Sequence, residues 1–200
     1  MREFVAAIVL LVVLISIGAS EELIENVKPG NTRIDLGDGY IASFELDDSI
    51  SAYNISAYDI SVIDPITPDF GGSDFTNYQF FIGSKTSEEV GQINILVSIF
   101  DTPYPHKKPI HDDYTSEELR WEETPRMIDD SIGSNLIKYY NDKEVVASAQ
   151  YFPGAVETST STLESRAMVT INLVNYDGIS KEYPIFESII DSIHISGPAI

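Results

Sequence analysis

Alternation of apolar and polar residues along short segments is the feature that most constrains the fold of this chain. Its clearest instance is Ile93, Ile95, Val97 and Ile99, where every second residue is a β-branched apolar side chain. Successive side chains of a β-strand point to opposite faces, so this spacing predicts a strand with one buried face. Similar patterns predict strands in four further segments: residues 40–46, 58–62, 78–82 and 167–173. Segments 136–140 and 144–152 flank a turn at 141–143 and predict a hairpin.

Two segments have helical signals instead. Thr115-Ser116-Glu117-Glu118 matches a capping box and predicts a helix to about Ile128, with a kink or break at Pro125. Pro184 opens a second predicted helix, because apolar residues follow it at helical spacing from Ile185 to Ile193. Together these patterns predict an α+β domain, a twisted antiparallel sheet of about six to seven strands covered by two helices.

The N-terminus predicts export. Arg2 precedes an uncharged apolar run from Phe4 to Ile17, and small residues then lead to Ser20. This is the order of a secretory signal peptide, and we expect cleavage near residue 20. The alternative is an uncleaved membrane anchor, although the run is shorter than the ~20 residues that usually span a bilayer. We therefore predict a signal peptide or anchor at 1–20, a linker at 21–33 and one globular domain at 34–196.

Composition limits the partners of that domain. The chain has 32 acidic and 12 basic residues, a net charge of −20, and no cysteine. Such a charge repels phosphate backbones and anionic head groups, so we expect no nucleic-acid partner and membrane contact only through residues 1–20 if they are retained. Without cysteine, the chain has neither disulfides nor thiolate metal sites, and packing alone must stabilise it outside the cell.

The order of the predicted elements resembles the PsbP-like family, which includes the extrinsic proteins of photosystem II. The similarity lies in the early strand at 40–46, the strand at 93–100 followed by a predicted helix, the hairpin segments at 136–152 and 166–174, and the apolar pattern of the last helix at 185–193. The family's Tyr-Pro-x-x-Trp near the first strand is absent. The resemblance implies a PsbP-like α+β fold and an accessory role beside larger assemblies. The run at 36–40 also resembles secreted surface proteins of methanogenic archaea.

One loop has the residue types of a metal site. His106, His111 and Asp112 offer imidazole and carboxylate ligands of the kind that zinc or manganese accepts. Lys107 and Lys108 lie between the histidines and would repel a cation. The alternative interpretation, which we favour, is a solvated polar loop, so we predict no cofactor and no resident metal.

Three other residues have specific predictions. Asn54, in Asn-Ile-Ser, is a candidate N-glycosylation site because the chain is predicted to be exported. Trp121 is a possible interaction anchor, with packing of the predicted helix as the alternative. His194 lies between isoleucines and is expected in a strand or at the edge of the core.

We find no catalytic constellation in the sequence. It contains no nucleophile elbow and no phosphate-binding glycine loop. We therefore predict a non-catalytic, extracytoplasmic binding or accessory domain, secreted or tethered to the outer face of the membrane, with a protein or cell-envelope partner. The alternative is an extracytoplasmic metal-assisted hydrolase that uses His106, His111 and Asp112.

Overall fold

The structure is a computed structural model that describes residues 21–26, 30–46, 58–67, 75–84, 92–140, 143–174, 183–198 and 200. These residues form thirteen strands and one helix. In chain order they are β1 (Glu21–Asn26), β2 (Gly30–Gly37), β3 (Tyr40–Leu46), β4 (Tyr58–Ile66), β5 (Phe75–Ser84), β6 (Gln92–Lys107), β7 (Asp112–Thr115), β8 (Leu119–Ile128), β9 (Ser131–Tyr140), β10 (Lys143–Tyr151), β11 (Val156–Glu157), β12 (Thr162–Val174), α1 (Tyr183–Ser192) and β13 (His194–Ser196).

The strands form two antiparallel sheets. The large sheet has the order β1-β4-β5-β6-β12-β10-β9-β8-β7, with β11 paired to the extended end of β12. The small sheet has the order β13-β3-β2. Most neighbours in the large sheet are joined by hairpins, whereas β6 and β12 pair across a long stretch of sequence. The non-local β6–β12 pair lies at the centre of the sheet.

The small sheet packs on one face of the large sheet. The rings of Phe44 and Phe80 are nearly parallel, with centroids 6.2 Å apart, and Tyr40 lies 5.1 Å from Tyr78. The turn between β2 and β3 has positive φ angles from Gly37 to Gly39, which the two glycines adopt without steric cost. Both sheets contribute to a single apolar core, which is the expected arrangement of a two-layer domain.

Helix α1 closes the same core beside β3. The predicted apolar stripe is buried, with Ile185, Phe186, Ile189 and Ile190 all in the core. On its polar side, Arg126 of β8 donates a 3.0 Å hydrogen bond to Glu187 and forms an ion pair with Asp191. Side-chain hydroxyls of the helix also bond the backbone of β3 at Glu45. The helix predicted to begin at Pro184 is thus confirmed.

The predicted α+β fold class is wrong. The described chain is mostly β, with one short helix, and two covering helices over a single sheet are not formed. The small sheet and the one helix cover the core, and the helix predicted at 115–128 is not formed. The PsbP-like α+β architecture that the resemblance implied is therefore not the architecture of this chain.

The error came from the segment 115–128, which forms the β7–β8 hairpin and not a helix. Ser116 Oγ does accept the N–H of Leu119, as a helix cap would, but the Ser116 N–H bonds the Leu119 carbonyl and closes a hairpin. The same local hydrogen bond serves either structure. Pro125 lies beyond the end of β7, where β8 pairs with β9 alone. On the side away from β9 no strand would accept a backbone N–H, so a proline is tolerated there.

Within the segment predicted as a linker at 21–33, the described residues 21–26 and 30–33 lie in strands. Residues Glu21–Asn26 form β1 and pair with β4 at the edge of the large sheet, and Gly30 begins β2. The strand at 21–26 forms because it pairs with β4, which is distant in sequence, and a local sequence pattern does not predict such pairing. The predicted signal or anchor at 1–20 lies outside the described residues.

Candidate functional site

The large sheet has one face that is not covered by the small sheet or by α1, and we call it the outer face. On β6, Ile95 lies in the core, so its neighbours Asn94 and Leu96 point the opposite way. The cross-strand register extends this assignment across the sheet. Leu96 is opposite Thr170 of β12, and Thr170 is opposite Gln150 of β10.

Four uncharged polar side chains line the outer face of β10 and β12, and we call them the amide strip: Ser148, Gln150, Thr170 and Asn172. Ser148 Oγ donates a 2.8 Å hydrogen bond to Asn172 Oδ1, and Gln150 Nε2 lies 3.4 Å from Thr170 Oγ1. All four are half-buried. Cross-strand hydrogen bonds of this kind fix the side chains in place and leave part of their bonding capacity unused.

A similar set of polar pairs continues onto β5 and β6, but there it is buried. Ser98 Oγ donates to Asn77 Oδ1 at 2.7 Å, and Gln79 Nε2 donates to Asn94 Oδ1 at 3.0 Å. Ser98, Gln79 and Asn94 are all buried. Buried polar groups need partners of this kind to offset desolvation, so these pairs have a structural role. The accessible part of the outer face is therefore the part formed by β12, β10, β9, β8 and β7.

An aromatic pair lies at the β7–β8 edge of this accessible surface. Tyr114 and Trp121 are directly opposite each other in register, with ring centroids 6.3 Å apart and planes 20° from parallel. Tyr114 is 39% exposed. Trp121 is opposite Lys138 of β9, and Glu123, two residues further along β8, accepts a 2.7 Å hydrogen bond from Ser134. Trp121 therefore lies on a strand at the sheet edge and not on a helix.

The amide strip and the aromatic pair belong to one surface. Asn172, Ser148, Leu136 and Glu123 form one cross-strand row, and Trp121 lies in the next row on the same face, about 7 Å along the strand. Over β10 and β12 this row contains no ionisable group, whereas Lys138, Glu123 and Asp112 are charged at the end beside the aromatic pair. The arrangement offers hydrogen-bond donors and acceptors beside flat apolar rings.

The predicted metal ligands occupy different environments. His106 is only 8% exposed and packs against Phe152, Phe100 and Tyr104, at centroid distances of 4.4, 5.6 and 5.4 Å. Burial lowers the pKa of its imidazole, and a hydrogen bond with the Ser165 backbone partly offsets that effect. Its Nε2 has no hydrogen-bond partner within the described part of the chain. The aromatic surroundings favour the neutral imidazole.

The other two candidate ligands are on the surface. His111 and Asp112 are exposed at the start of β7, and Lys108, between the histidines, forms a 2.7 Å ion pair with Glu157. Across the described residues, no three histidine or carboxylate side chains are grouped so that they could hold a metal ion. His106 is held in an aromatic cluster, whereas its two proposed co-ligands face solvent.

Asp129 and His194 form a polar contact that the sequence did not predict. Asp129 has a positive φ of 51° in the turn between β8 and β9, and its carboxylate contacts His194 Nδ1 at 2.7 Å and the Ile195 N–H at 3.3 Å. His194 lies in β13, as expected for a strand residue at the core edge. Burial and the charge of Asp129 raise the pKa of the Tyr151 hydroxyl, which lies in the core. This contact joins a hairpin tip of the large sheet to the small sheet.

Sequence reasoning did not identify the amide strip. Its members are the in-between positions of two correctly predicted strands, so the polar alternation was visible. Their juxtaposition follows from the β10–β12 pairing, which the sequence does not specify. The glycosylation candidate Asn54 lies outside the described residues and stays a prediction.

No protein-family model, curated protein sequence or solved structure matches this chain. Among the described residues, no helix has the length and apolar character needed to cross a membrane. The PsbP-like resemblance therefore stays a prediction, and a functional proposal has to be argued from the outer face.

Proposed function

We propose that this chain is an exported, non-catalytic binding domain that attaches to a component of the cell envelope through its outer face. The observation that carries the proposal is the uncharged amide strip, half-exposed on a protein with a net charge of −20. Charged side chains are the usual way to keep a strand face soluble. An amide and hydroxyl surface on the same face as the exposed Tyr114 and the half-buried Trp121 has the composition of a recognition surface.

The chemistry of this surface favours binding over catalysis. Hydroxyl and amide groups donate and accept hydrogen bonds, but they do not exchange protons near neutral pH unless a base activates them. The two hydroxyls of the strip contact amides: Ser148 donates to Asn172 Oδ1, and Thr170 Oγ1 lies 3.4 Å from Gln150 Nε2. The metal-assisted alternative needs His106, His111 and Asp112 to converge, and their separate environments give it no support.

Location outside the membrane rests on the N-terminal segment at 1–20. We expect native protein to begin near Ser20 or Glu21 and to be recovered on the outer side of the cytoplasmic membrane. N-terminal sequencing of native material, with protease accessibility in intact cells, measures both. Recovery of intact Met1 in a soluble cytoplasmic fraction would contradict the export part of the proposal.

The binding surface is tested by adding a charge to the strip. Thr170→Lys places an ammonium among the four uncharged side chains, whereas Thr124→Lys makes the same change on the opposite face of the same sheet, at an exposed position. The protein without residues 1–20 is incubated with washed envelopes of the source cells, and the bound fraction is measured by sedimentation. We expect Thr170→Lys to reduce binding and Thr124→Lys to leave it unchanged. Equal binding by all three proteins would exclude the outer face.

A further inference from the structure

We propose that the component bound by the outer face is a neutral polysaccharide, with one sugar ring on the Trp121–Tyr114 pair and the hydroxyls of further sugar units on the amide strip. This inference rests on the proposed function and specifies its ligand. The row that runs from Asn172 to Glu123, beside the row of Trp121, crosses four neighbouring strands, β12, β10, β9 and β8. Three strand spacings correspond to roughly 14 Å, which suits a chain-like ligand more than a single small molecule.

The hydrogen-bonding groups match those of a sugar. A sugar hydroxyl both donates and accepts, and so do the amides and hydroxyls of the strip. Asn172 uses its Oδ1 to accept from Ser148, and each amide has two N–H donors and two lone pairs in total. The internal pairs of the strip hold these side chains in one orientation, so little side-chain freedom is lost when a ligand binds.

The aromatic pair supplies the apolar part of the site. Tyr114 and Trp121 are opposite each other in register at the edge of the same face, with stacked rings whose planes are within 20° of each other. Flat rings of this kind bury apolar ligand surface at a low cost in conformational entropy. The C–H face of a sugar ring is apolar, whereas its hydroxyls project around the ring edge. An aromatic pair on β7 and β8 and an amide surface on β10 and β12 of the same face therefore complement both parts of successive sugars.

Charge argues for a neutral ligand. A net charge of −20 repels anionic polymers, including acidic polysaccharides and nucleic acids. A cationic polymer would instead be attracted to carboxylates, and the strip has none. The strip has no charged group, and near the aromatic pair the ammonium of Lys138 lies beside the carboxylates of Glu123 and Asp112, so this surface fits an uncharged polymer best.

The geometry argues against an extended peptide. Peptides commonly bind sheets by adding a strand to a free edge, where backbone groups are unpaired. The amide strip lies on β10 and β12, and both strands have neighbours on each side. The face offers side chains alone, which is what a polyhydroxylated chain needs and what a peptide backbone uses poorly.

The test is native affinity electrophoresis of the protein without residues 1–20, followed by calorimetry. Gels contain a neutral β-glucan, mannan or galactan, or the anionic polymer polygalacturonate. Trp121→Ala removes the ring platform, and its control is Met127→Ala, which changes a 63% exposed apolar residue on the same face of β8. Asn172→Leu removes an amide of the strip, and its control is Asn31→Leu on the exposed side of β2. Thermal unfolding of every variant verifies the fold.

We expect retardation by at least one neutral polysaccharide and none by polygalacturonate. Trp121→Ala should weaken binding by about tenfold or more, as for an aromatic anchor. Asn172→Leu should weaken it by about two- to tenfold, as for one lost hydrogen bond. The two controls should bind like the wild type. The inference would be overturned if the protein preferred polygalacturonate, or if folded Trp121→Ala and Asn172→Leu both bound as tightly as the wild type.

The envelope assay separates the two proposals. If envelopes bind the protein and Thr170→Lys abolishes that binding, but no neutral polysaccharide retards it, the polysaccharide inference is wrong and the outer face binds another component. If envelopes do not bind the protein, the proposed function itself is wrong.

Discussion

The inner and outer faces of the large sheet are built from the same strands but have opposite chemistry. Along β10, Ala147, Ala149 and Tyr151 are fully buried in the core, whereas Ser148 and Gln150 between them are half-buried and polar. The two faces differ because only the inner face is covered by the small sheet and α1. The small sheet and α1 exclude water from the inner face, so apolar contact stabilises it. The accessible outer face keeps its order through cross-strand hydrogen bonds, and its side chains are available to a ligand.

The largest expected effect contrasts the two faces directly. Ile95→Asp places a carboxylate in the inner core, where burial of an unpaired charge costs several kcal/mol, a large part of the ~5–15 kcal/mol stability of a domain. We expect loss of the folded state. Leu136→Asp, on the half-buried outer face of β9, should cost about 1–2 kcal/mol or less, since water reaches the site. Circular dichroism and urea unfolding measure both, and similar losses would contradict the face assignment.

A smaller effect is expected where the inner face leaves the apolar core. Arg126 joins β8 to α1 through Glu187 and Asp191. Arg126→Ala should lower the free energy of unfolding by about 1–2 kcal/mol, because it removes partly exposed charge-assisted hydrogen bonds. Arg120→Ala is the control, since Arg120 is exposed over the ring of Tyr139. Urea unfolding in low and high salt should show that the Arg126 effect falls with salt. An effect no larger than that of Arg120→Ala would mean that α1 is held by apolar packing alone.

Substitutions in the turn between β8 and β9 should change the free energy of unfolding less than those on either face of the sheet. Asp129 and Asp130 both have positive φ, as in the two-residue hairpin turns that favour Asn-Gly. Asp130→Gly should stabilise the protein by up to about 1 kcal/mol, because glycine adopts this backbone without the steric cost of a side chain. Asp129→Gly should stabilise less or destabilise, since it also removes the contact with His194. Thermal unfolding compares the two variants, and equal gains would show that the Asp129 contact contributes nothing.

The smallest expected effect is a loss of folding stability at acidic pH. Burial lowers the pKa of His106 in the folded state below its ordinary value of 6.5. The unfolded chain therefore binds a proton at a higher pH than the folded chain does. The contribution of neutral His106 is present above pH 6.5 and is lost as the pH falls through the lowered folded pKa.

His106→Phe should flatten this part of the stability profile. The exposed His111→Gln is the control and should leave it unchanged. Urea unfolding between pH 7.5 and pH 5 measures the slopes. An unchanged slope in His106→Phe would show that the aromatic cluster does not restrict protonation of this histidine.

Local patterns failed where two structures share one local signal. The residues predicted as a capping box, 115–118, lie in the observed β7–β8 turn, where Ser116 accepts the N–H of Leu119, the kind of bond that a helix cap also makes. Pro125 suggested a helix break but lies in the part of β8 beyond the end of β7, where β8 pairs with β9 alone. Trp121 stays a predicted interaction anchor, and its partner Tyr114 became apparent only through the hairpin register.

The sequence by itself determined the central strands, the C-terminal helix and the excess of negative charge. Each follows from information within a few residues: period-two alternation in β6 and β12, the apolar stripe after Pro184, and the count of carboxylates. The tertiary structure alone decided that a second sheet covers the core, that residues 21–26 join the large sheet, and that Ser148, Gln150, Thr170 and Asn172 meet on one face. Strand pairing depends on packing between segments far apart in sequence, and no local pattern specifies it.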